Sequence, residues 1–290
     1  MNVIKRGKKS KYFIDLEKNY EIRKRPVKRV ILFTNARDET HIKEWAAHHL
    51  LIGFDLVYIF DHKSIKPLKS VFNGFDSRVI IERCELDNSP KLPLMKKASL
   101  IASALKADWF LYLDADEFLI LNSFVGVKRM LSRFYFADSL AVNWVMFGTN
   151  NHVKEPDGLI LENYTKSELI LDKHVKTFVR PTQVIGVINP HFYNIWNPIR
   201  MFSLNGNQMQ HSKCFNDCNI PFNNSNAFIA HYVHQSEDRY LKRKINLPRD
   251  DAPGFRNIDT QIHEKYNSVE NIIPKTKYAN IVRSFLDSKR

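Results

Sequence analysis

The 290-residue chain has only nine glycines and three cysteines, and both shortages narrow the choices. No Gly-x-Gly-x-x-Gly follows the first apolar run, so no dinucleotide fingerprint is present. No Gly-x-x-x-x-Gly-Lys-Ser/Thr exists either, which excludes a P-loop. A bound nucleotide would therefore be held by side chains and a metal, without a glycine cradle. Cys84, Cys214 and Cys218 are an odd number, and no disulfide framework is expected. No apolar run approaches the roughly 18–20 residues of a membrane span, and residues 1–28 are too basic and broken for a secretory signal. The expectation is a soluble cytoplasmic protein, with peripheral membrane contact as an option.

Acids are also outnumbered. The formal net charge is +13, and much of it sits in an arm, residues 1–28, with Lys5, Arg6, Lys8, Lys9 and Lys11 at its head. The arm is either a solvated basic tail or a contact for anionic lipid or an acidic partner. Nucleic acid is not an expected partner, because no zinc-finger spacing or RNA-binding signature accompanies the charge. A short helix is expected within the arm, around Tyr12–Tyr20.

What the chain does have is alternation. Val30–Phe33, Leu56–Phe60, Val79–Ile81 and Trp109–Leu113 are short apolar runs that read as buried strands. Between them lie helical patterns. One starts after Asp38, placed as an N-cap, carries Ile42, Trp45, Ala46, His49 and Leu50, and ends at Gly53. A short helical piece is expected near Leu68–Phe72. Another helix opens near Pro93 and carries Leu94, Ala98, Ile101 and Leu105 on one face. Strand-helix alternation predicts an α/β fold with a mainly parallel central sheet flanked by helices. Ligands on such sheets gather beyond the carboxyl ends of the strands. Asn35, Asp61 and Asp114 all fall there.

The last of these runs, Trp109 to Leu113, leads straight into Asp114-Ala115-Asp116-Glu117. If the backbone stays extended, Asp114 and Asp116 share one side and offer oxygen ligands to a hard divalent cation, Mg²⁺ or Mn²⁺. The competing reading is a solvated acidic turn or an N-cap.

Beyond Asp116 the pattern is less regular. A helix is expected within Phe124–Phe136 and a strand at Leu140–Met146. Residues 150–170 read as loop, and Thr177–Val179 with Val184–Ile188 as a strand pair around Pro181. Residues 194–226 read as a long loop or lid, and Phe228–His234 as a last strand. Ser236 would then cap a helix whose Lys242, Arg243 and Lys244 suit its dipole. The segment His211–Cys218 holds three possible zinc ligands, two of them cysteines that could instead form a disulfide, but lacks the usual short Cys-x₂-Cys spacing. Little is assigned to the tail, 248–290.

Taken in order, these residues resemble a known group. Arg37-Asp38-Glu39, Glu44-Trp45, His48-His49 and Gly53 resemble the opening of family-2-like glycosyltransferases, including the family 92 type. Tyr58–Ser64 is similar to their second-strand segment, and Asp114-Ala115-Asp116-Glu117-Phe118 to their Asp-x-Asp-Glu-Phe signature. Trp144 with Phe147-Gly148-Thr149, His174–Thr177, His191-Phe192 and His231-Tyr232 follow in the expected order. The resemblance covers roughly residues 29–245. Asp38 and His62 depart from it, each standing where that group usually has Asn.

The resemblance implies a GT-A fold over residues 29–247, with a nucleotide-sugar-binding half, 29–120, and an acceptor half, 121–247, carrying a smaller mixed sheet. It implies metal-dependent transfer from a nucleotide sugar, most readily a UDP-sugar, to a glycan, protein or lipid acceptor. Asp116 would ligate Mn²⁺ or Mg²⁺, and Asp114 would contact the metal through water or the donor ribose. His231 is a third ligand or a satisfied core histidine. Asn35, Arg37, Glu39 and Asp61 would meet the base and ribose, with a turn role open for Asp61. Lys97, His174, Lys176 and Arg180 would meet phosphate, or are solvated charges. Transfer is expected to invert the anomeric centre, which requires a carboxylate base. Glu162 is the first choice, because the apolar Ile160-Leu161 pair ahead of it fixes its position; Asp157 and Glu155 are the others. The alternatives in other classes are a non-catalytic nucleotide-sugar or glycan-binding protein and a nucleotidyltransferase.

Overall fold

The computed structural model describes residues 26–87, 89–209, 219–258 and 262–289. The expected arm helix and the His211–Cys218 segment lie outside them. The first half runs β1 (Val30–Ala36), α1 (Ile42–Leu51), β2 (Leu56–His62), α2 (Leu68–Val71), β3 (Val79–Cys84), α3 (Lys91–Ala104) and β4 (Trp109–Tyr112). Then come β5 (Glu117–Leu121), α4 (Val127–Arg133), β6 (Ser139–Met146), α5 (Ile160–Asn163), β7 (Lys166–Ser167) and β8 (Val175–Val179). The hairpin β9 (Val184–Val187) and β10 (Tyr193–Ile195) precedes β11 (Met201–Ser203), β12 (Ala227–His231) and α6 (Glu237–Tyr240). Last are α7 (Ile262–Tyr266), β13 (Val269–Glu270) and α8 (Asn280–Asp287).

The central sheet runs β3-β2-β1-β4-β8-β6-β12-β5, with β11 beside β6. Strands β3, β2, β1 and β4 pair in parallel. Their apolar runs are continuous because both faces are covered. Val30 and Leu32 point into a core with Trp45 and Leu50 of α1. Ile31 and Phe33 point to the other face, against Leu94, Met95 and Ala98 of α3. The second half of the sheet is mixed: β8 is antiparallel to β4 and β6, and β5 is antiparallel to β12. It continues the first half instead of forming a separate small sheet. No helix among the described residues is long and apolar enough to cross a membrane.

Several local expectations are corrected. Asp38 does not cap α1; its carboxylate accepts the N–H of Ile65 across the cleft loops, at 2.8 Å. Asp38 has φ 52°, and a left-handed turn before His41 starts the helix instead. Gly53 does end α1, with φ +105°, a conformation that favours glycine. The strands around Pro181 do not pair with each other. β8 enters the main sheet, and β9 pairs with β10. The expected long loop contains β10 and β11; strands of three residues leave no periodic trace in sequence. The tail packs into the main core through Tyr278, Ala279 and Val282, and the Tyr278 hydroxyl bonds to the Leu121 backbone.

Candidate active site

A cleft of about 110 Å³ opens at the carboxyl ends of β1 and β4. Asn35, Arg37, Glu39, Asp114, Ala115 and Asp116 line it from the sheet side. Arg243, Lys244, Arg249 and Asp250 line it from the segment after α6. The backbone here is not extended. β4 stops at Tyr112, and residues 114–117 form a turn closed by the Glu117 N–H to the Asp114 carbonyl, at 3.0 Å. Both aspartates nevertheless line the one cleft.

Asp114 and Asp116 are held differently. Asp114 is ion-paired with Lys91, and its Oδ1 lies 3.3 Å from Nζ of Lys176. Burial pushes its pKa up, but Lys176 and Lys91 outweigh this and hold it far below the usual range. Asp116 turns Oδ2 to Lys244 at 2.7 Å and to Arg243 at 3.1 Å. Burial again opposes ionisation, and Lys244 and Arg243 overcome it. Glu39 fixes Arg243 with a two-pronged pair at 2.8 and 2.9 Å, which makes Glu39 a positioning group.

His231 reaches the site through strand pairing. β12 runs antiparallel to β5, so His231 lies opposite Glu117, beside Asp116. Its Nε2 is 3.6 Å from Asp116 Oδ1. Both atoms are buried and without a hydrogen-bond partner among the described residues. Buried polar atoms are normally satisfied. A carboxylate oxygen and an imidazole nitrogen that face each other without a hydrogen bond are two donors that could serve a divalent ion. No group of three His, Cys, Asp or Glu among the described residues is placed to hold one.

Antiparallel pairing also sorts the other basic residues. The start of β8 lies near the end of β4, so Lys176 is buried between Asp114 and Glu117, 3.5 Å from the latter. Glu117 is fully buried. Burial and the Asp114 charge push its pKa up to about 8. Arg180, at the far end of β8, stacks over Trp109 and bonds to the carbonyls of Tyr135 and Ala137, away from the cleft. His174 leans on Trp144 and pairs with Asp172 at 2.6 Å, and Trp144 in turn contacts His231.

Other predicted residues are not brought to the cleft. Asp61 organises the loop after β2, accepting N–H bonds from Ser64 at 3.1 Å and Leu68 at 2.9 Å, and contacting Arg83. Lys97 pairs with Glu82 on the exposed face of α3. Glu162 forms a two-pronged ion pair with Arg283 of α8, and neither it nor Asp157 lines the cleft. Glu155 pairs with His41 at 2.6 Å. His48 and His49 are buried staples between α1 and the backbone of β5.

Lys91, Arg243, Lys244 and Asp250 are site residues that sequence reasoning missed. For Lys91 a signal existed: a lysine opening a helix opposes the helix dipole and needs a nearby acid. Lys244 and Arg243 read as helix-end cations, and nothing in the tail marked Asp250.

No protein-family model matches the chain, and no curated protein sequence does. Among solved structures it is similar to the crystal structure of S. aureus TarS 1-349 in complex with UDP, at 11% identity and a TM-score of 0.34. That match covers 54% of this chain and 48% of the other, so the chain spans about half the length of the structure it matches. A likeness of this degree carries no inference about the site.

Proposed function

We propose that this chain is a metal-dependent glycosyltransferase of GT-A type, moving a sugar from a nucleotide-sugar donor to a glycan, protein or lipid acceptor. The observation that carries the reading is the Asp114-Ala115-Asp116 turn. It lies at the carboxyl end of a parallel strand and in one cleft with Asn35, Arg37 and a set of cations.

Breaking the bond between an anomeric carbon and a diphosphate builds negative charge on the departing phosphate. Preorganised positive charge in a site shielded from water lowers that barrier most effectively. Asp116 and His231 would hold the divalent ion, which supplies part of this neutralisation and orients the diphosphate. Arg243, which Glu39 holds, and Lys244 stand on the same carboxylate and place cations beside it. Arg37 carries a buried guanidinium N–H without an acceptor among the described residues, suited to a base, ribose or phosphate oxygen. Lys176 sits under Asp114 and keeps that carboxylate ionised next to buried Glu117.

The test is a panel of nucleotide sugars incubated with the protein and Mn²⁺ or EDTA, scored for donor breakdown. Metal-dependent breakdown of one donor class supports the reading. A complete lack of turnover and of nucleotide binding removes it.

A further inference from the structure

The cleft is occupied by the chain itself. The segment that follows α6 crosses it and makes charged contacts of opposite sign toward its two ends. At one end Lys244 sits on Asp116. At the other, the Asp250 carboxylate accepts a hydrogen bond from Asn35 Nδ2 at 3.0 Å and lies 3.6 Å from the ammonium of Lys91. The Lys91 N–H also donates to the Asp250 carbonyl, at 3.1 Å. Lys91 is 4% exposed, at the start of α3, and lies between Asp114 and Asp250. Asn35 is held in turn by the Tyr112 hydroxyl, at 3.0 Å. The remaining space, about 110 Å³, is well short of the roughly 300–1,000 Å³ of ordinary ligand pockets. A nucleoside diphosphate enters only if something in the cleft gives way.

We propose that Lys91 and Asn35 form an anion subsite, that Asp250 fills it in the free protein, and that a phosphate group of a nucleoside diphosphate takes its place. The inference rests on the donor-binding reading above and deepens it. The geometry singles out Asp250 as the group that moves. Lys91 and Asn35 are fixed by α3 and the central sheet, whereas Asp250 sits on an irregular segment and is one-third exposed. A carboxylate and a phosphate oxygen make the same charge-assisted bonds to an ammonium and an amide N–H. Displacing Asp250 also loosens the segment that brings Lys244 to Asp116, so filling the subsite and releasing Lys244 from that carboxylate are coupled, while Arg243 stays on it through Glu39. A ligand that must displace an internal group binds with an apparent affinity reduced by the open fraction.

The experiment is calorimetric titration of UDP, and separately of inorganic pyrophosphate, in excess Mg²⁺, into the wild type, Asp250→Asn and Lys91→Met. Asp250→Asn removes the competing charge at nearly constant shape, and it is expected to bind both probes tighter by roughly three- to tenfold. Lys91→Met is expected to lose at least about tenfold, since a charged partner is removed. That variant leaves Asp114 short of a cation and can unfold, so the Asp250→Asn result decides. If the wild type binds UDP and Asp250→Asn binds it equally or more weakly, the subsite is overturned while the donor reading stands. If pyrophosphate binding tightens but no nucleotide binds, the donor reading falls and takes the nucleoside diphosphate as occupant with it, leaving only the anion subsite. Binding of neither probe to any variant overturns both.

Discussion

Lys244 holds its ammonium 2.7 Å from Oδ2 of Asp116, while Oδ1 of the same carboxylate is buried without a hydrogen bond among the described residues. One oxygen is thus neutralised by the chain, and the other faces His231 at 3.6 Å. Asp116→Asn keeps the shape and removes the charge. Metal-dependent donor breakdown is expected to fall by about 100-fold or more. Glu39 continues to hold Arg243, so the melting transition should stay cooperative. Paired rate and melting measurements check both points.

Lys176 is the cation between Asp114 and Glu117, and it is 2% exposed. Replacing it by Met takes a cation from both Asp114 and the fully buried Glu117. Removing one partner from a buried charge cluster costs about 3–5 kcal/mol. Urea denaturation of Lys176→Met should show a loss of this order. A change below about 1 kcal/mol would mean that Lys91 alone neutralises the pair.

His41 sits between Glu155 and Glu44. Burial lowers its pKa, but the two carboxylates outweigh this and raise it to about 9. A folded pKa above the unfolded value of about 6.5 gives stability that is full below pH 6.5 and is lost as pH rises through 9. The melting-temperature difference between the wild type and His41→Gln should therefore be largest near pH 6 and shrink by pH 10. A difference that grows with pH contradicts the assignment.

Glu162 pairs with Arg283, which is nearly half exposed. Exposed pairs of this kind contribute about 0–1 kcal/mol. Glu162→Gln is expected to keep turnover within about twofold and to lose little stability. A loss of turnover of 100-fold or more, with substrate affinity unchanged, would restore Glu162 as the catalytic base.

The parallel half of the fold was legible because each of its strands is a continuous apolar run covered on both faces. Trp109–Tyr112 and the acids after it could be read as a strand delivering a site. The mixed half was not legible in the same way. Whether β8 pairs with β9 or with β6 depends on tertiary packing, which the local pattern around Pro181 does not encode. In the site, Asn35, Asp114 and Asp116 stood out because strand ends are marked in sequence. Lys91 and Asp250 did not, because they meet across 159 positions, with no repeat or spacing to link them. Asp61 looked like a ligand contact for the same reason that it makes a good turn: a strand-end aspartate accepts N–H bonds in either role.

The most direct measurement is electron paramagnetic resonance of Mn²⁺ titrated into the protein, with and without UDP, for the wild type and Asp116→Asn. One tightly held Mn²⁺ per chain is expected in the presence of UDP, with weaker binding without it and loss of the bound signal in Asp116→Asn. Free-ion Mn²⁺ spectra for the wild type in the presence of UDP, or identical spectra for the two proteins, would contradict a metal-diphosphate anchor at Asp116.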